Sequence, residues 1–209
     1  MERSRNYSVA GFLFSVTAEQ SLFERMTNYT PFEGSEGEHL FDLTFGTVPE
    51  ESDKQLVYID ASADDLPRIE LYRVQDDWQI NMAVTNQGVI VNRIRMSADF
   101  TRATVQPTEG YERFAIDNAA MLLFAFTTSK RHTLELHASV TVKDGKGFLF
   151  LGKSGTGKST HSQLWLKHIP GSRLLNDDNP IVRLNSDGTP EVYGSPWSGK
   201  TPCYINRHF

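Results

Sequence analysis

A chain of 209 residues, 39% hydrophobic and 22% charged, has room for one large domain or two small ones around a buried core. Its net charge of -5, with no Lys/Arg run longer than a pair, excludes a basic nucleic-acid surface, so any phosphate-binding signal has to be local. A single cysteine, Cys203, excludes an intramolecular disulfide and a multi-cysteine zinc site, and no apolar window is long enough to predict a membrane span.

The opening "MERSRNYSVAGFLFSVTAEQ" sets basic residues before a short apolar run. Ser15, Thr17 and Glu19 break that run and no cleavage site follows, so it reads as a strand rather than a signal peptide. A reducing cytoplasm is the expected setting. "GFLFSVTA", "HLFDLTFG", "QLVYIDAS" and "IELYRVQ" are short alternating or apolar runs separated by turn clusters, hence strands. "WQINMAVTNQGVIVNRIRMS" predicts a hairpin around Asn86-Gln87-Gly88. "YERFAIDNAAMLLFAFTTSKR" carries helix-period apolar positions, with Lys130 and Arg131 expected near its end, where cations suit the helix dipole.

Two strands follow, Leu134–Val142 and Gly147–Leu151, joined by a tight Lys143-Asp144-Gly145-Lys146 turn. The second runs into "GKSGTGKS", and "KSTHSQLWLKHI" then predicts a helix stopping at Pro170-Gly171. "RLLNDDN" is a short strand ending in two acids, and "IVRLNSDGTPEVYG" is hairpin-like. The expected fold class is α+β. Residues 1–110 would form an antiparallel β-rich domain, and 111–209 a mixed-sheet P-loop nucleotide-binding core.

Gly152, Gly157, Lys158 and Ser159 fit G-x-x-x-x-G-K-[ST] between a strand and a helix. Such glycines let the backbone curl until successive N–H groups face phosphate oxygens. Lys158 would reach the β- and γ-phosphates, the Ser159 hydroxyl would ligate Mg²⁺, and the helix N-terminus adds a favourable field. The expected ATP-binding set is Gly152, Lys153, Ser154, Gly155, Thr156, Gly157, Lys158, Ser159 and Thr160. Asp177 and Asp178 close a strand one helix later, where one carboxylate can hold metal and the other can take a proton from an attacking hydroxyl.

A lone strand histidine such as His137 usually packs or faces water, so the residues alone leave its role open. His161, His168 and Trp165 read as structural, Trp165 as a core residue. The "GSPWSGK" loop, Gly194–Lys200, reads equally as a substrate-side loop or a plain connection.

At these residues the chain resembles the C-terminal domain of HPr serine kinase/phosphorylase, a family that shares its nucleotide-binding architecture with phosphoenolpyruvate carboxykinase. "HASVTVKDGKGFLFLGKSGTGKS" followed by "LLNDD" carries the resemblance, which spans roughly residues 134–180. It implies a cradle set in a largely antiparallel or mixed sheet, with Lys158 and Ser159 on phosphate and metal. It also implies Asp178 as the base for a protein serine or other hydroxyl acceptor, Asp177 on Mg²⁺ and His137 in support. The family's "E-I-R-G" glutamate has no counterpart, and its C-terminal helices would lie beyond Phe209, so an incomplete C-terminal domain is expected. Two alternatives stand beside an ATP-dependent phosphotransferase: a non-catalytic nucleotide-binding regulatory module and a carboxykinase-type lyase. The expected partners are the nucleotide and a protein or small-molecule hydroxyl acceptor, with no nucleic acid and no membrane. A homo-oligomer stays open.

Overall fold

The computed structural model describes residues 2–60, 67–199 and 201–209; Lys200, part of the loop singled out above, lies outside them. In chain order the elements are β1 (Glu2–Val9), β2 (Phe12–Glu19), α1 (Gln20–Phe23), a 3-10 segment (Thr27–Phe32), β3 (Glu38–Phe45), β4 (Gln55–Asp60) and β5 (Arg68–Val74). They continue with β6 (Asp77–Ala83), β7 (Ile90–Met96), β8 (Arg102–Pro107), α2 (Glu112–Thr128), β9 (Thr133–Glu135) and β10 (Ala138–Lys143). The last are β11 (Lys146–Leu151), α3 (Lys158–His168), β12 (Arg173–Asp178), β13 (Ile181–Leu184) and β14 (Pro190–Tyr193).

The fold is mixed α+β, dominated by one large, mainly antiparallel sheet and served by few helices. Eight strands make that sheet in the order β1-β2-β3-β8-β7-β6-β5-β4. Its β3–β8 pair is parallel, Asp42 opposite Arg102 and Phe45 opposite Val105. From β4 through β8 each neighbour runs antiparallel to the last. The alternation that predicts these strands is also what buries them. Phe12, Phe14, Val16 and Ala18 of β2 point inward while their neighbours are less buried. The expected β6–β7 hairpin is present, with Trp78 opposite Met96 and Ile80 opposite Ile94.

Helix α2 buries Ala115, Ile116, Ala119, Ala120, Leu123 and Phe124, a stripe at helical spacing. It ends at Thr128, so Lys130 and Arg131 do not sit in its last turn as expected; Arg131 instead pairs with Glu38 at 3.1 Å. No helix among the described residues is long and apolar enough to cross a membrane.

Two compact units can be separated. The first comprises Met1–Asn6, Phe14–Met26 and His39–Thr127, including α2; the second comprises Tyr7–Leu13, Thr27–Glu38 and Thr128–Phe209. The second unit holds two three-stranded sheets, β11-β10-β12 and β14-β13-β9, whose pairs are all antiparallel. A mixed sheet was expected there, but the parallel pairing belongs to the eight-stranded sheet. Val140 and Val142 of β10, Leu175 of β12 and Val192 of β14 form a small core, closed by Leu149, Val182, Ile205 and Phe209.

The single strand expected over Leu134–Val142 is two strands in two sheets. β9 pairs with β13, Glu135 opposite Ile181, and β10 pairs with β11 and β12. The chain crosses over at Leu136, whose N–H donates to Pro180 O at 3.0 Å, leaving His137 in the bend between them.

Candidate functional site

Strand β10 is the middle of its sheet and runs antiparallel to both neighbours, so β11 and β12 point the same way. The register is decisive: Ala138 lies opposite Leu151 on one side and opposite Asp178 on the other. The strand that opens the glycine loop and the strand that ends in acids therefore finish level with each other. A cavity of about 480 Å³ lies there, bordered by the loop and α3 residues Lys158 and Ser159, by Asp177 and Asp178, and by His137. These sequence-predicted residues come together in one place, with Ser154, Gly155, Gly157 and Thr160 also on its wall. Gly152 and Thr156 border a neighbouring cavity instead, and Lys153 borders neither.

The loop is built by backbone geometry. Gly157 caps α3 at φ 89, a left-handed conformation that a side chain would strain. The Thr156 hydroxyl donates to Lys153 O at 2.8 Å, closing the curl. Lys158 Nζ donates to Gly152 O at 2.9 Å and to Lys153 O at 3.2 Å. An ammonium has three donors, so one remains for an anion in the loop.

Helix α3 packs on all three strands, yet the side chain it buries is Ser162. Ser162 Oγ lies 2.5 Å from Ser139 Oγ, and Ser139 Oγ in turn donates to Asp177 Oδ1 at 2.7 Å. A polar knot thus joins the cradle helix to the acidic strand and fixes one oxygen of Asp177. The other, Oδ2, is buried without a hydrogen-bond partner among the described residues, in a residue only 4% exposed. A buried carboxylate oxygen left unsatisfied beside a cavity that Ser159 also borders fits a hard cation such as Mg²⁺, which takes oxygen ligands and keeps phosphate oxygens and waters in its shell. Among the described residues no group of three or more His, Cys, Asp or Glu side chains forms an all-protein cage.

Asp178 has a different environment. Its backbone N–H donates to Asn176 Oδ1 at 2.9 Å, and Asn176 is itself buried and held by Ser195 and Trp197. His137 Nε2 lies 3.3 Å from Asp178 Oδ1. Burial pushes the Asp178 carboxyl above its ordinary range, His137 pulls it back, Asp177 raises it again and Lys158 lowers it. The Gly194–Lys200 loop, undecided from sequence, lies on these acids: Gly199 N–H donates to Asp177 O at 3.2 Å, and Ser198 bridges to Asp178.

Sequence reasoning missed four residues. Ser139, flanked by Ala138 and Val140, is a polar position in an apolar strand, which was a readable signal, whereas Ser162 sits between His161 and Gln163 and gave none. Glu135 is pushed up to about 8, first by burial and then by the charge of Asp178. Gly199 was hidden in a loop without a motif. Trp165, expected in the core, is half-buried against Phe148 and Phe150 with ring centroids 4.9 and 5.5 Å away. The Cys203 thiol faces Leu174 O and Leu175 O, and its pKa is pushed up to about 11 by burial and then by Asp177.

No family model matches the chain, and no curated protein matches it significantly.

Proposed function

We propose that the second unit binds a nucleoside triphosphate, ATP, with Mg²⁺, and transfers its γ-phosphoryl group to a hydroxyl acceptor in the manner of an HPr kinase-like enzyme. The observation that supports this reading is the shared register at Ala138, which levels the loop entrance at Leu151 with Asp178 in one cavity. The β- and γ-phosphates lie in the 152–160 loop, facing the backbone amides and the remaining N–H of Lys158. Bound Mg²⁺ would be held by Ser159 and Asp177 and would neutralise charge on the phosphate oxygens.

The Asp178 carboxylate takes the proton of the acceptor hydroxyl as its oxygen bonds to the γ-phosphorus and the bond to the bridging β-oxygen breaks, releasing ADP. A carboxylate whose affinity for protons is raised by burial is a better base than an exposed one. His137 orients Asp178 from the bend between β9 and β10.

The test combines binding with transfer of labelled γ-phosphate to serine-bearing proteins and small alcohols. MgATP should bind, Lys158→Ala should abolish binding, and Asp178→Asn should keep binding while losing transfer. No MgATP binding by the intact chain would sink the proposal. Binding that depends on Lys158 with no acceptor labelled would reduce the protein to a nucleotide-binding module.

A further inference from the structure

A second cavity, of about 530 Å³, lies on the other side of the same loop. Gly157 and Lys158 border both cavities, so the two adjoin at the start of α3. The acids are confined to the first. The second is walled by Phe150 and Leu151 of β11 and by His161 of α3. Its rings are already organised: Phe150 meets His161 edge to face at 4.5 Å and Trp165 at 5.5 Å. Trp165 Nε1 donates to His161 Nε2 at 3.2 Å, which leaves the neutral imidazole with its proton on Nδ1, a donor not consumed by that bond. His161 is exposed, and Leu151 beside it is 62% exposed, an apolar side chain at the mouth of a phosphate loop. Among the described residues β11 is also an edge strand, with β10 on one side only, so its outer backbone groups are open to a planar partner with its own donors and acceptors.

We infer that this groove is the base subsite, in which the purine ring of the nucleotide stacks on His161 and Phe150 and meets the outer edge of β11. The inference rests on the nucleotide reading above and extends it. If the γ-phosphate points to Asp178, the opposite end of the molecule leaves the loop on the side away from the acids. On that side the protein offers apolar and aromatic surface and no acid. A base needs that combination: a π-face to stack on and a few fixed polar groups at its rim. His161, which local pattern reads as a structural helix residue, becomes a binding residue.

The experiment is a calorimetric titration of the full chain with MgATP, MgGTP and magnesium tripolyphosphate, on the wild type, His161→Ala and His161→Phe. Wild type should bind both nucleotides more tightly than tripolyphosphate. His161→Ala should weaken both nucleotides roughly tenfold, as loss of a base-stacking ring does, and leave tripolyphosphate within about twofold. His161→Phe should restore most of the nucleotide affinity, since it returns a ring without the hydrogen bond to Trp165. Quenching of tryptophan fluorescence by MgATP but not by tripolyphosphate would support the same placement through Trp165. Equal affinity of wild type for tripolyphosphate and MgATP, or equal weakening of both in His161→Ala, overturns the base subsite while leaving the phosphate cradle standing. Failure of wild type to bind any of the three overturns both.

Discussion

His137 Nε2 lies 3.3 Å from Asp178 Oδ1, although the two residues belong to a bend and a strand end that are far apart in sequence. The contact exists because Leu136 anchors to Pro180 O and Ala138 pairs with Asp178, which pins the bend between them. If Asp178 is the base, Asp178→Asn should cut transfer by about 100-fold or more, with MgATP affinity changed little. His137→Ala removes an influence that lowers the affinity of Asp178 for protons. The acid limb of the transfer rate against pH should then move to higher pH. A limb that stays put, or moves down, would show that His137 does not act on Asp178.

Ser139 holds Asp177 Oδ1 while Oδ2 has no partner among the described residues. Ser139→Ala leaves both carboxylate oxygens of a buried residue unsatisfied and cuts the link to Ser162. The cost should be about 1–3 kcal/mol of unfolding free energy without Mg²⁺. If Oδ2 is a metal-facing oxygen, Mg²⁺ with nucleotide should recover part of that loss, and the Mg²⁺ concentration for half-maximal binding should rise. Denaturant unfolding with and without MgATP measures both. Equal destabilisation in the two conditions would assign the knot to folding alone.

The elements that the sequence discloses are those governed by local spacing. Alternation in Phe12–Ala18 and around Trp78 and Ile94 yields strands, and the Asp144-Gly145 turn, both residues at positive φ, joins β10 to β11 as expected. The glycine loop is legible because its chemistry is its local geometry. What stays hidden depends on partners distant in the chain. Nothing between Thr133 and Val142 announces that the three residues of β9 join β13 while β10 joins β11 and β12. Whether the sheet around the loop is mixed or antiparallel is likewise a property of crossovers, which single-strand patterns do not encode. Glu135 looks like any strand-end acid until Asp178 and a buried setting are placed beside it.

Glu135 carries a pH-dependent stability term whose sign follows from its environment. Its carboxyl is pushed from the ordinary 4.5 up to about 8, first by burial and then by Asp178. Below 4.5 both folded and unfolded chains hold the proton, and the contribution is fully present. Between 4.5 and about 8 the unfolded chain has released it while the folded chain keeps it, so stability falls as pH rises. Glu135→Gln keeps the neutral shape and removes that dependence. The variant should gain on the wild type by on the order of 1–3 kcal/mol between pH 5 and pH 9, read from urea midpoints. Parallel stability curves for the two proteins would show that Glu135 ionises freely.

Gly199 sets the position of the acids from the opposite side. A methyl group added there would stand 3.0 Å from Asp177 O and 3.1 Å from both Asp178 Cγ and Oδ2. These are tighter than ordinary contacts, and two of the three are atoms of the candidate base. Gly199 N–H also donates to Asp177 O, so the loop cannot simply lift away without losing that bond. The flexible member is the Asp178 side chain, which should rotate off His137 to make room. Gly199→Ala should therefore cost only about 1 kcal/mol in stability, at the low end of overpacking. Transfer should fall at least tenfold in kcat with little change in nucleotide affinity, because a base displaced by a few tenths of an ångström loses alignment before the fold loses packing. Steady-state kinetics beside a thermal melt separates the two. A large fall in melting temperature with kcat intact would mean that the loop carries the strain and Asp178 stays where it is.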